Sequence, residues 1–99
     1  MMPDPAVGVF GISVAAELVG TGVQNLRAYE RAGLLEPRRT PGGTRLYSSD
    51  DIERLRRIAA LLDAGLNLNG VAMVLDLELE NALLREEIAD HRRVAGETG

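Results

Sequence analysis

The sequence contains no cysteine, which excludes a disulfide scaffold, a thiolate metal site and a cysteine nucleophile together. It also lacks tryptophan and lysine. Its aromatic residues are only Phe10, Tyr29 and Tyr47, so a core has to be built from Leu, Ile, Val and Ala. No apolar run approaches the ~18 residues that a membrane span needs. Residues 1–10 lack the charged start and long apolar centre of a secretory signal, so the chain is expected in the cytoplasm, away from membranes. Catalytic equipment is missing too. There is no nucleophile with a neighbouring base and no glycine-rich phosphate loop between a strand and a helix, while Asp50-Asp51 reads as a helix start. The single histidine, His91, has no second ligand type converging on it, so no metal, cofactor or catalytic residue is expected.

What remains is arginine, carboxylate and aliphatic periodicity in 99 residues, the size of one small domain. A net charge of −4 argues against a nucleic-acid binder until the charges are placed. All 11 basic residues are arginine. Between Thr21 and Arg57, 8 arginines stand against 5 acids, a local +3. Between Leu61 and Gly99, 3 arginines stand against 8 acids, a local −5. One half can approach phosphates while the other points away.

Residues 1–8 carry two prolines and no periodicity, and read as a flexible arm; residues 9–12 read as a short extended piece. Ser13 is placed to cap a helix bearing Val14, Ala15 and Leu18, which Gly20 stops. Thr21 or Gly22 opens a second helix, with Thr21 and Gln24 spaced as a capping box and Val23, Leu26 and Tyr29 on one side; Gly33 ends it. Two short helices about a glycine turn make a helix-turn-helix, a weak signal by itself. Leu34-Leu35 and Arg45-Leu46-Tyr47 are each long enough for a minimal strand, and Pro41-Gly42-Gly43 between them is a tight-turn sequence. The segment therefore reads as a hairpin wing with arginines on both arms.

Ser48 and Asp51 form a capping box for a helix of about Ser49–Ala64, whose apolar stripe is Ile52, Leu55, Ile58, Ala59 and Leu62. Arg54, Arg56 and Arg57 on this helix read as solvent-facing or paired with Asp50 and Glu53. Gly65 ends the helix, and Asn67 caps a short fourth one containing Val71, Val74 and Leu75, with Met73 as core filling. From Leu77 to Ala95, Leu77, Asn81, Leu84, Ile88, His91 and Ala95 alternate at four and three as a broken heptad seam, widened by Leu83. Such a helix rises ~28 Å, past the edge of so small a domain, so its stripe is expected to pair with a second chain. Leu77, Asn81, Leu84 and Ile88 are the expected dimerisation residues. The organisation expected is an arm at 1–8, a winged helix-turn-helix at 9–75, a dimerisation helix at 76–95 and a frayed tail at 96–99, in a mainly α fold.

The residues Ile12-Ser13-Val14-Ala15-Ala16-Glu17-Leu18, Leu26-Arg27-Ala28-Tyr29-Glu30-Arg31-Ala32-Gly33-Leu34-Leu35, Pro37-Arg38-Arg39-Thr40 and Arg45-Leu46-Tyr47-Ser48 resemble the MerR family of bacterial transcription regulators. Within that family the opening segment and the Arg-Arg-Thr-x-Gly-Gly-x-Arg wing look most like the heat-shock repressor (HspR) group. The resemblance spans about residues 9 to 75 and implies a winged helix-turn-helix followed by an antiparallel dimerisation helix. Carried over by position, it sets Gln24 and Asn25 on the recognition face, Arg27 and Tyr29 on the motif's arginine and second aromatic, Arg39 and Arg45 on the wing arginines, and Tyr47 on the closing tyrosine. Ala28 stands where the family often has an aromatic. Metal-sensing members place cysteines in their helices, and this chain has none. The resemblance also brings in a protein co-regulator as a further partner.

These residue types suit double-stranded DNA. Short amides on a helix in the major groove make bidentate bonds to adenine, and a glycine-tipped hairpin lets Arg38, Arg39, Thr44 and Arg45 follow the phosphate backbone. The function expected is a sequence-specific DNA-binding regulator, a repressor by preference, acting as a homodimer on a pseudo-palindromic promoter site. The alternative is a MerR-like protein-interaction adaptor or anti-regulator that does not bind DNA, which the acidic second half favours and Arg27, Arg39 and Arg45 disfavour.

Overall fold

The computed structural model describes residues 4–98. Its elements are α1 (Ile12–Val19), α2 (Val23–Arg31), β1 (Arg38–Arg39), β2 (Arg45–Leu46), α3 (Ser49–Asp63) and α4 (Leu68–Thr98). Helix α1 packs on both α2 and α3, α4 packs on α3, and the two strands form an antiparallel hairpin with Arg38 opposite Leu46 and Arg39 opposite Arg45. This is the expected mainly α, winged helix-turn-helix architecture.

α1 starts two residues earlier than Ser13 predicts. Phe10 exchanges backbone hydrogen bonds with Tyr47, accepting at 2.7 Å and donating at 3.0 Å, so the chain is pinned there and turns into the helix at Gly11. Ser13 lies exposed within the first turn. At the start of α2 the cap is Gly22, with no side-chain bond, and the Thr21–Gln24 capping box does not form. Instead the Thr21 hydroxyl oxygen accepts from Asn25 Nδ2 at 2.7 Å. The capping box of α3 is present as expected: Asp51 N–H donates to Ser48 Oγ at 3.0 Å, and Ser48 N–H to Asp51 Oδ2 at 2.9 Å.

Leu34 and Leu35 form no strand. Leu34 N–H donates to the Tyr29 carbonyl, which turns both leucines into the core, and the first wing strand begins four residues later. The core is aliphatic around Tyr47, with Leu26, Leu55, Ile58 and Val71 also fully buried. α3 buries Ile52, Leu55, Ile58 and Leu61, while Ala59 and Leu62 are half-buried.

Two further expectations change at the chain ends. The first residues form a docked segment rather than a loose arm: Val9 N–H donates to the Tyr47 carbonyl at 2.9 Å, and Asp50 N–H on α3 donates to the Pro5 carbonyl at 3.1 Å. Residues 1–3 of that arm lie outside the described ones. At the other end, the short fourth helix and the long helix are one element, because no Gly or Pro stands between Leu75 and Leu77 to break the hydrogen-bond ladder. Asn67 Oδ1 accepts from Gly70 N–H at 2.8 Å at its start, as expected of a cap. The helix continues to Thr98 through the stretch expected to fray. Its apolar packing is confined to the first two turns, through Val71 and Leu75, and Asp76 to Gly96 are all exposed. Thirty-one residues span ~46 Å, which accounts for the 55 Å long dimension and a radius of gyration of 16.8 Å, against the ~13 Å of a compact domain this size.

Candidate nucleic-acid interface

α2 turns Leu26 and Tyr29 into the core and leaves Gln24, Asn25, Arg27 and Arg31 in solvent. Period and punctuation dictate this: Val23, Leu26 and Tyr29 recur every three residues, so the polar positions between them face outward. The side chains of Gln24 and Arg27 have no hydrogen-bond partner among the described residues. Asn25 is held by its bond to Thr21, which leaves its side-chain carbonyl open.

The wing turns at Gly43, whose φ of +88° is a left-handed conformation that a side chain disfavours. Thr40 and Thr44 close the turn, with Thr40 N–H to the Thr44 carbonyl at 2.8 Å and Thr44 N–H to Thr40 Oγ1 at 3.1 Å. The register sets Arg39 directly opposite Arg45, and like charges so placed repel. Glu30, in the last turn of α2, resolves the conflict. Its Oε1 accepts from Arg39 Nη2 and its Oε2 from Arg45 Nε, each at 2.7 Å. Burial raises the Glu30 pKa, but the hydrogen bond and charge of Arg45, with those of Arg39, outweigh it and hold the carboxyl below its ordinary value. Arg39 Nη1 also donates to the Gly43 carbonyl at 3.2 Å, so one guanidinium joins the hairpin tip to α2. Arg38 and Thr44 remain exposed, and Arg38 has no partner among the described residues.

Both tyrosines assigned to DNA by resemblance lie in the core instead. Tyr29 is 6% exposed and Tyr47 is 0% exposed, its hydroxyl buried with no hydrogen-bond partner among the described residues. Burial, then the negative Glu30 nearby, raises the Tyr47 pKa. With so few aromatics, the largest side chains are consumed by packing. The α3 arginines are also engaged, though not with Asp50 or Glu53. Arg54 Nε donates to the Leu34 carbonyl at 2.5 Å, Arg56 Nη2 to the Leu18 carbonyl at 3.3 Å at the end of α1, and Arg57 pairs with Glu78 of α4.

Of the expected seam, Leu77, Leu84 and Ile88 are each at least 50% exposed, as is Leu83, and Leu77, Asn81 and Leu84 line one shallow groove with Glu80. Met73 is 67% exposed rather than buried, and lies one turn before Leu77, so it extends this stripe. Glu30 was the residue that sequence reasoning missed. The signal was available, since a hairpin tip at Gly42-Gly43 pairs two arginines and calls for an acid nearby. Among the described residues no group of three His, Asp or Glu could hold a metal ion, and no helix is long and apolar enough to cross a membrane.

Residues 10–78 match the family model for MerR helix-turn-helix family regulatory proteins. The chain is 46% identical over 83 residues to a Streptomyces coelicolor protein described as heat shock protein HspR, covering 83% of this chain and 55% of that one. It is 40% identical over 81 residues to the transcriptional repressor CarH of Myxococcus xanthus, covering 81% of this chain and 26% of that one. The chain thus spans about half the length, or less, of these relatives. Among solved structures, the transcription regulator PbrR691 of Ralstonia metallidurans in complex with lead(II) superposes with a TM-score of 0.67 at 30% identity, over 90% of this chain and 77% of that one. The fold, the matched model and the identity to HspR agree: the chain belongs to the MerR family of helix-turn-helix regulatory proteins.

Proposed function

We propose that this chain is a DNA-binding transcriptional regulator that acts as a homodimer on a pseudo-palindromic promoter site, repressing by occupying it. The observation that supports the reading is the joining of α2, which bears the exposed Gln24, Asn25 and Arg27, to the arginines of the wing strands through Glu30. Gln24 and Asn25 read base edges in the major groove, while Arg27, Arg38, Thr44 and the outer part of Arg45 meet phosphates. Two copies join through Met73, Leu77, Asn81, Leu84 and Ile88, because one short helix reads too few base pairs to select a site. Relatives described as HspR and as a repressor support the repressing role. Residues 9–75 supply the DNA-binding unit and 76–95 the pairing helix.

The test is a footprint on DNA from the promoter of its own gene, followed by a salt titration. Protection of two half-sites about one helical turn apart supports the reading. Arg38→Ala should make the slope of log K against log salt shallower by about 0.9 for each protomer. A chain that protects no DNA and shows no salt-dependent binding leaves the protein-interaction reading, which the exposed acidic face of α4 favours.

A further inference from the structure

The wing arginines are not equivalent, and Glu30 is what divides them. Arg38 is exposed, and its side chain has no partner among the described residues, which leaves it available to a phosphate. Arg39 spends Nη2 on Glu30 and Nη1 on the Gly43 carbonyl. Arg45 spends only Nε on Glu30, and its two Nη groups have no partner among the described residues. With the side chain of Glu30 only 18% exposed, its carboxylate is seated between the helix and the hairpin rather than free in solvent. An acidic group at a surface built to meet a polyanion costs affinity, because it cancels one of two positive charges. Its geometric return is that a flexible hairpin becomes fixed to the helix whose face reads bases.

We propose that Glu30 is a specificity-determining positioning residue: it lowers indiscriminate attraction to phosphate and holds Arg45 and the hairpin tip in register with α2. This rests on the DNA-binding reading above and goes beyond it. Glu30 touches no DNA; it acts through Arg39 and Arg45. A neutral glutamine frees both guanidiniums to follow any backbone, so non-specific binding strengthens while the advantage of the correct sequence shrinks.

The experiment uses the full chain and two duplexes of equal length, one selected by the wild-type chain from a random-sequence library and one of mixed sequence. For Glu30→Gln, the expected result is a salt slope on the mixed duplex steeper by about 0.9 for each arginine released. The ratio of selected to mixed affinity should fall about tenfold or more. Glu30→Asp keeps the charge but shortens the reach by one methylene; it should keep the wild-type slope and still lose part of the ratio. That variant also carries the test if Glu30→Gln fails to fold in a thermal melt. A structural role alone weakens both duplexes equally with no change in slope, and that result overturns the proposal. Wild-type chain that binds neither duplex sinks the DNA-binding reading and this proposal with it, whereas wild-type binding with unchanged variants sinks this proposal alone.

Discussion

Arg57 on α3 and Glu78 on α4 form a two-pronged ion pair, with Nε and Nη2 of the arginine both donating to Oε1 of a carboxylate 21 residues away. It lies just past Leu75, the last buried residue of α4, and so sets how the projecting helix leaves the domain. The pair is half-exposed on both sides, where ion pairs contribute little to stability. Its hydrogen bond lowers the Glu78 pKa and, with the Glu78 charge, raises that of Arg57. Glu78→Gln should therefore barely move the melting temperature, with the small loss vanishing at high salt. It should broaden the distribution of distances between spin labels placed on α3 and at the far end of α4. An unchanged distance distribution would show that Val71 and Leu75 alone fix the helix.

The Glu30 clamp gives a pH prediction with a definite sign. Its folded-state pKa lies below the ordinary value of 4.5, so its contribution to stability is fully present above that value and is lost as pH falls through the lowered one. The difference in melting temperature between wild type and Glu30→Gln should be constant from pH 7 down to about 5.5, and should shrink below about pH 4.5. A difference that instead grows on acidification contradicts the clamp. Arg45→Gln should remove most of the same pH dependence, since Arg45 provides the largest favourable effect on the carboxyl.

How much of this was legible in the sequence divides by the range of the interaction. The helix-turn-helix, the wing tip, the Ser48–Asp51 capping box and the outward seam on α4 all follow from patterns within a few residues, and all are present. Some expectations failed locally, as at Thr21, which bonds Asn25 rather than forming a box with Gln24, but others failed through contacts between distant segments. Ser13 looked like a cap only because the bridge from Phe10 to Tyr47, which forces the earlier turn at Gly11, spans 37 residues. Arg54 and Arg56 looked solvated because their carbonyl partners, Leu34 and Leu18, lie 20 and 38 residues away. Tyr47 is assigned to DNA only by resemblance, as the closing tyrosine of the wing, and in a chain with three aromatics it is the largest fully buried side chain.

That burial makes Tyr47 a useful control for the interface. Its hydroxyl is in the core with no partner among the described residues, a situation that costs about 1–3 kcal/mol when a polar group is left unsatisfied. Tyr47→Phe should leave stability unchanged or raise it by up to about 1 kcal/mol, read by chemical denaturation, and should leave DNA affinity and salt slope as in wild type. A loss of DNA affinity without a loss of stability would return this tyrosine to the interface.

The apolar stripe of α4 makes a separate prediction about assembly. Met73, Leu77, Leu84 and Ile88 are exposed on a helix whose residues from Asp76 to Gly96 are all exposed, and such a stripe is stable in water only when covered. Leu84→Glu should convert a dimer to a monomer in sedimentation equilibrium while leaving the thermal melt of residues 4–75 in place. DNA affinity should then fall by about 10²-fold or more, because the second half-site no longer binds as an intramolecular event. A wild-type chain that sediments as a monomer at micromolar concentration removes the basis for this prediction.

The first residues of the chain test whether the wing depends on more than its own two strands. A Cβ at Gly8 would stand 2.9 Å from Leu46 Cβ and 3.0 Å from the Leu46 carbonyl oxygen, so backbone has to move to admit it. Val9 and Phe10 next to it donate to the Tyr47 carbonyl, and Pro5 accepts from Asp50, so a shift at Gly8 strains a third strand-like layer against β2 and the start of α3. A two-stranded hairpin of two residues per strand is not stable by itself in water, which makes that layer a support for the wing. Gly8→Ala should cost about 1–3 kcal/mol. In hydrogen exchange, the Val9, Phe10 and Asp50 amides should lose protection together, and Thr40 and Thr44 should follow while the α3 core stays protected. Protection lost at Val9 and Phe10 alone would show that the wing is held by Glu30 without help from this segment.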